Sequence, residues 1–319
     1  MKPPEADPAS AAPADRLKSI DALRGFDMFW IVGGASVVHA LDRVGGNAAT
    51  GFLANQFTHV QWGGVHAYDV IYPLFLFLIG VSLVYSLDRL RGKETTGRVI
   101  RRILGRGALL YVLGVFYHGG LTSAWPAVRL SGVLPFIAVS YVGAALVYWF
   151  AGVRWRGLAV ALALLLAGNW AIQTLAVFPD VRLEEKTVKA LERQAGSTSP
   201  EAVLALVPGR ISGVYEEGRS YGTYLDYRYL PGKKVNVYFE SQGLLSPLGG
   251  VAICLLGALG GLLLKSKTMS PGRKSAWLLA GGAFALVLGC AWSLQFPIVK
   301  KLWTCGKRTR GAPRSSGSA

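Results

Sequence analysis

Residues 68–87, YDVIYPLFLFLIGVSLVYSL, decide how this chain is read. One acid near the start is followed by an apolar run without further charge, and a helix needs roughly 20 such residues to cross a hydrocarbon core about 30 Å thick. Comparable stretches lie near 24–41, 102–118, 132–150, 157–178, 244–264 and 275–296, giving seven candidate membrane helices. The first is the least hydrophobic of them and the third has a basic start. Composition agrees: of 319 residues, 52% are hydrophobic, only 16% are charged and 40 are glycine. A soluble domain carries about 25% charged residues and about 7% glycine. The expected fold class is an all-α polytopic membrane protein of about seven transmembrane helices, and a simple two-domain soluble enzyme is excluded.

Charge gives the orientation. The formal net charge of +16 would suggest nucleic acid in a soluble domain, but here Lys and Arg cluster in short segments between apolar runs. Such loops stay in the cytoplasm. Arg16, Lys18 and Arg24 precede the first helix, and Arg89, Arg91, Lys93, Arg98, Arg101, Arg102 and Arg106 separate the second from the third. Arg154 and Arg156 follow the fourth, and Lys265, Lys267, Arg273 and Lys274 separate the last two. With seven spans all these clusters share one face, which predicts a cytoplasmic N-terminus. No nucleic-acid partner is expected, and the lipid bilayer is.

The domain reading follows. Residues 1–18 are a Pro- and Ala-rich disordered cytoplasmic tail, 19–178 hold helices 1–5, 179–243 form a small extracytoplasmic insert, and 244–298 hold helices 6–7. Residues 299–319 are a polar basic tail. Lys300, Lys301, Lys307, Arg308, Arg310 and Arg314 would then fall outside, against the pattern of the other clusters. In the insert, 181–194 and 200–206 read as short amphipathic helices. The tyrosines between Tyr215 and Tyr238 read as an interfacial aromatic belt in preference to a carbohydrate-stacking platform. Cys254, Cys290 and Cys305 lack both disulfide and metal-ligand spacing, so no metal is expected.

Three constellations carry possible chemistry. His39, His59, His66 and His118 all fall at the outer ends of helices, and histidine suits proton transfer near neutral pH. Asp69 sits at the mouth of a long apolar helix, where an acid either caps the helix N-terminus or faces a cavity and orients a catalytic group. Asp21 and Arg24 are spaced to form an ion pair on one helical face. The alternative for Arg24, with the basic loop at 89–106, is contact with a nucleotide phosphate. No Walker loop, GxGxxG, GxSxG or HExxH occurs in a fitting context.

Four segments occurring in order carry a resemblance: RLKSIDALRGFDMFWIVGG (16–34), FTHVQWGGVHAYDVIYPLFLFLIGVSL (57–83), RRILGRGALLYVLGVFYHGG (101–120) and GLLSPLGGVAICLLGALGG (243–261). Over about 16–304 the chain resembles bacterial relatives of heparan-alpha-glucosaminide N-acetyltransferase, members of a transmembrane acyltransferase superfamily. The resemblance implies transfer of an acetyl group from cytoplasmic acetyl-CoA to an extracytoplasmic sugar amine or hydroxyl. The family's essential histidine maps onto His59, which would act as general base or carry the acetyl group transiently, with Asp69 orienting it. Asp21 and Arg24 would shape the donor entrance at the inner face. It further implies the bacterial inner membrane and a glycan acceptor, with a homodimer left open.

There are departures. An active-site asparagine of the animal enzyme has no counterpart in Ile31–Ala35, and Gly132-Val133-Leu134 is followed by Pro135-Phe136 where relatives often have Gln-Arg. Relatives continue past a segment like 296–304 into further helices, so the ending reads as truncated, with the activity of the shortened chain left open. Two other function classes compete. A transporter or flippase fits the glycines and the helix-breaking Pro73 and Pro135. A non-catalytic membrane scaffold that binds glycan through its insert is the other.

Overall fold

The computed structural model of the protein describes residues 18–59, 66–120, 124–125, 127–151 and 154–293. The tails expected at 1–18 and 299–319 lie outside the described residues, except that Lys18 already opens the first helix. The W-x-G residues at 62–64 also lie outside them.

α1 (Lys18–Phe29), a π-helical segment (Trp30–Gly34) and α2 (Ala35–Gly45) follow one another without interruption, longer at both ends than the expected 24–41. Gly46 in the left-handed conformation stops α2. Asn47 then caps α3 (Ala48–Gln56), accepting from the backbone N–H groups of Ala49 and Thr50, while Thr50 accepts from Asn47 N–H. The long helices are α4 (Tyr68–Asp88), α5 (Thr96–Tyr117), α6 (Val133–Ala151), α7 (Trp155–Leu175), α11 (Ser246–Lys265) and α12 (Pro271–Trp292). A helix therefore occupies each of the seven apolar stretches.

Among the described residues, five of these helices, α4, α6, α7, α11 and α12, are long and apolar enough to cross a membrane. The first falls short because the π segment divides it into α1 of 12 residues and α2 of 11, each too short to span, and α5 because Arg98, Arg101, Arg102 and Arg106 open it. The fold is an all-α polytopic membrane protein. Neither proline breaks a helix: α4 runs straight through Pro73, and Pro135 lies in the first turn of α6, where a missing N–H costs nothing. The helix-breaking that favoured a transporter is therefore absent at both.

α11 lies at the centre of the bundle, packed against α4, α6 and α7, and Leu76, Val84, Tyr148, Leu158, Cys254 and Leu255 form its fully enclosed interior. The backbones of α4 and α11 touch through glycine: a Cβ on Gly80 would stand 1.9 Å from the Cys254 carbonyl oxygen, and one on Gly257 would stand 2.0 Å from that of Phe77. Close approach through small residues is how helices gain contact where lipid removes the hydrophobic drive. One end of the bundle is tied by Asp88, which accepts from Tyr148 Oη at 2.8 Å and pairs with Lys265 and with Arg91. The Arg91 guanidinium also donates to the Tyr148 and Trp149 carbonyls and lies 4.8 Å over the Trp149 ring.

Between α7 and α11 the insert folds around its own core of Val181, Leu183, Val188, Val203, Leu204, Tyr227 and Phe239. It contains β1 (Phe178–Pro179) paired with β2 (Arg210–Ile211), α8 (Glu185–Ala195), α9 (Pro200–Ala205), β3 (Tyr215–Glu216) paired with β4 (Arg219–Ser220), and α10 (Tyr221–Tyr229). Two expectations change. α8 starts at Glu185 rather than 181, because Val181 and Leu183 are drawn into the core as extended chain and Leu183 N–H bonds to Gly218 O. The tyrosines are no simple interfacial belt: Tyr227 is buried, Tyr224 and Tyr238 pack on the same core, and the Tyr215 hydroxyl meets Thr174 at 2.6 Å.

Two buried carboxylates fasten the insert to the bundle. Glu240 accepts from the Arg129 guanidinium through both oxygens, at 2.8 and 3.2 Å, and from Ser131 Oγ and Val235 N–H. Asp226 accepts from the backbone N–H groups of Leu244 and Glu240 at 2.9 and 3.2 Å. Burial, with Glu240 adding repulsion, raises the Asp226 pKa to about 7, although the two backbone donors and Lys234 oppose the rise.

Candidate functional site

The structure brings His59 and Asp69 together. Asp69 is the second residue of α4, and its Oδ1 lies 2.9 Å from His59 Nδ1. Its Oδ2 accepts from His66 N–H at 3.0 Å, so the carboxylate pins the chain on both sides of the segment leading into α4. The two readings of Asp69 merge, since one carboxylate both ties down the start of the helix and holds an imidazole. The Asp69 side chain is 3% exposed and that of His59 57%, so a buried anion orients a ring that faces outward. A carboxylate only accepts, which makes Nδ1 the protonated nitrogen and leaves the basic lone pair on Nε2.

Neighbouring groups fix this geometry. His66 Nδ1 donates to the Thr58 carbonyl at 2.8 Å, closing the segment between α3 and α4. The Tyr68 ring lies 4.6 Å from that of His59, and Phe57 stacks at 4.3 Å on Trp30 of the π segment. Of the other histidines, His39 lies within α2, and His118 follows α5 against Gly132. Sequence reasoning missed Trp30, Phe57 and Tyr68 as supports; an aromatic at each approach to an exposed histidine was the available signal.

Asp21 and Arg24 lie elsewhere, at the opposite end of α4. Three helix faces meet there: Ile20, Asp21 and Arg24 on α1; Ser82, Tyr85, Ser86 and Arg89 at the end of α4; and Arg102 and Arg106 on α5. The spacings of three, four and seven residues put each set on one face. Together they line an open cavity of about 390 Å³ with four guanidinium groups and one carboxylate in its wall. Arg24 donates to Ser82 Oγ and stands 3.9 Å from Asp21, and Glu94 braces Arg102 at 3.3 Å. The expected ion pair exists and is part of the cavity wall. Ser82 and Tyr85 were not anticipated, because nothing in α4 alone says which face meets α1.

From Asp69 to Ser82 the helix rises about 20 Å. The molecule thus carries a His–Asp pair at one end of α4 and an anion-attracting cavity at the other. Comparison with curated proteins returned no match. The family model described as "Heparan-alpha-glucosaminide N-acetyltransferase, catalytic" matches residues 16–185, which include Asp21, Arg24, His59 and Asp69. The resemblance expected over 16–304 is matched over that shorter range, and GLLSPLGGVAICLLGALGG at 243–261 lies beyond it. Since the match covers more than half of the chain, the protein belongs to the heparan-alpha-glucosaminide N-acetyltransferase catalytic family, a family of membrane acetyltransferases.

Proposed function

We propose that this protein transfers an acetyl group from acetyl-CoA, bound at the arginine-lined end, to an amine or hydroxyl of a glycan at the His59 end. The observation that carries the reading is the His59–Asp69 pair, a 2.9 Å contact between an outward-facing imidazole and a buried carboxylate. His59 Nε2 takes the proton from the acceptor as its nitrogen or oxygen attacks the thioester carbonyl. Asp69 is a positioning residue that holds the required tautomer and stabilises the imidazolium that forms. The C–S bond breaks, the acetyl group passes to the acceptor, and the proton ends on the departing thiolate.

The donor assignment rests on charge and reach. Arg24, Arg89, Arg102 and Arg106 suit the phosphates of a nucleotide, and guanidinium groups bind phosphate bidentately. A ligand whose head sits about 20 Å from the reacting group needs a long flexible arm, as acetyl-CoA has. The positive-inside pattern supports a cytoplasmic arginine end and an outward-facing His59 end.

The test uses the full-length chain in membranes with acetyl-CoA and an amino sugar. His59→Ala is expected to lower transfer by about a hundredfold or more, and Asp69→Asn by a smaller factor with little change in the KM for donor. Full activity in His59→Ala would remove the assignment. Incubation with labelled acetyl-CoA alone separates the two forms of the mechanism: label retained on His59 means a transient acetyl-histidine, and none means direct transfer.

A further inference from the structure

α1 is built inside out. Its large apolar residues Leu23, Phe26 and Phe29 are exposed, and among the described residues of this helix only Asp27 is buried, with no exposed surface at all. Both Asp27 carboxyl oxygens lack a hydrogen-bond partner among the described residues. A buried polar group without a partner costs several kcal/mol, and an acid at membrane depth faces the protein interior for a reason. Its position suggests the reason. Asp27 stands seven residues beyond Ile20 and three beyond Arg24, both in the arginine cavity, so it continues the face that those two present. Trp30, three residues further, begins the π segment and stacks on Phe57, next to the segment that carries His59. Asp27 therefore lies between the two ends of the site, on the helix that joins them.

The seam between α1 and α4 is also loosely held. Few apolar side chains of α1 are enclosed, and the π segment immediately beyond is a local irregularity of the kind that recurs at functional sites. Separating these helices to admit an extended ligand exposes little buried apolar surface.

We infer that Asp27 is a positioning residue for the donor, accepting a hydrogen bond from an amide N–H or hydroxyl of the pantetheine arm as it runs from the arginine cavity towards His59. The inference rests on the donor reading above. A carboxyl suits the task because that arm carries amide and hydroxyl donors, and among the described residues nothing donates to either Asp27 oxygen.

The experiment measures affinity of the purified full-length chain for two probes, CoA and adenosine 3′,5′-bisphosphate, which shares the phosphates near the adenosine and lacks the arm. Asp27→Leu is expected to weaken CoA binding about tenfold and leave adenosine 3′,5′-bisphosphate binding within about twofold. Asp27→Asn, which keeps an accepting oxygen, is expected to restore most of the CoA affinity. Equal loss for both probes, or no loss for either, overturns the role of Asp27 while the donor reading stands. If the wild-type chain binds neither probe, the donor reading falls and this inference with it.

Discussion

Single carboxylates divide the labour in this protein, and their surroundings decide how. Asp69 is buried but well partnered, its carboxylate holding His59 and the chain at His66. Asp226 in the insert is equally enclosed, yet its partners are neutral backbone donors and its nearest charged neighbours are Glu240 and Lys234, so burial wins and the pKa rises to about 7. In the unfolded chain it returns to the ordinary carboxylate range near 4. The folded state then binds more protons between pH 4 and 7, and stability falls as pH rises through that window, by up to about 4 kcal/mol. Thermal unfolding of the insert is expected at lower temperature at pH 8 than at pH 5.5, and Asp226→Asn is expected to flatten that profile. An unchanged slope in the variant would assign the pH dependence to another group.

Among the elements, the α4–α11 pair sets the frame on which both ends of the site hang. Its backbones approach through Gly80 and Gly257, where even a methyl group collides with a main-chain carbonyl, so relief requires the helices to part. Gly80→Val is expected to prevent stable folding, and Gly80→Ala to destabilise by a few kcal/mol, read from detergent-solubilised yield and unfolding temperature. Gly281→Ala in α12, where an added Cβ meets nothing within 4 Å, is the control and is expected to be neutral or slightly stabilising. The sequence announced α4 and α11 as helices through length and apolarity. It did not announce that they pair, since all apolar residues look alike to a periodicity argument and helix contact in lipid is chosen by shape. The same holds for the cavity: Arg102 and Arg106 were legible as a basic cluster, but their convergence with Ser82 depends on that packing.

At the scale of the whole molecule, the seven apolar stretches and the segment that folds between α7 and α11 were legible, because long apolar runs have few physical explanations; the residues alone left four histidines open, and the link between His59 and Asp69 was only what the family resemblance implied. Asp27 was not singled out, because the sequence does not say which side of the first helix is enclosed, and the tyrosines were misjudged because a sequence does not distinguish an aromatic at a membrane boundary from one in a small independent core. The arrangement also predicts sidedness. In a background lacking Cys254, Cys290 and Cys305, Asn55→Cys and Lys93→Cys are expected to react with a membrane-impermeant thiol reagent from opposite faces of intact vesicles. Labelling of both from one face would contradict the separation of donor and acceptor ends.

α12 has no buried residue among the described ones and meets the rest of the chain chiefly along α11, while Leu279, Phe284, Leu286 and Val287 are exposed. With so little packing to hold it, its angle to the membrane normal is governed by the fit between its apolar length and the local bilayer. In thinner or thicker lipid this helix leans and straightens like a boom on a fixed mast, while the glycine-locked pair beside it keeps its angle.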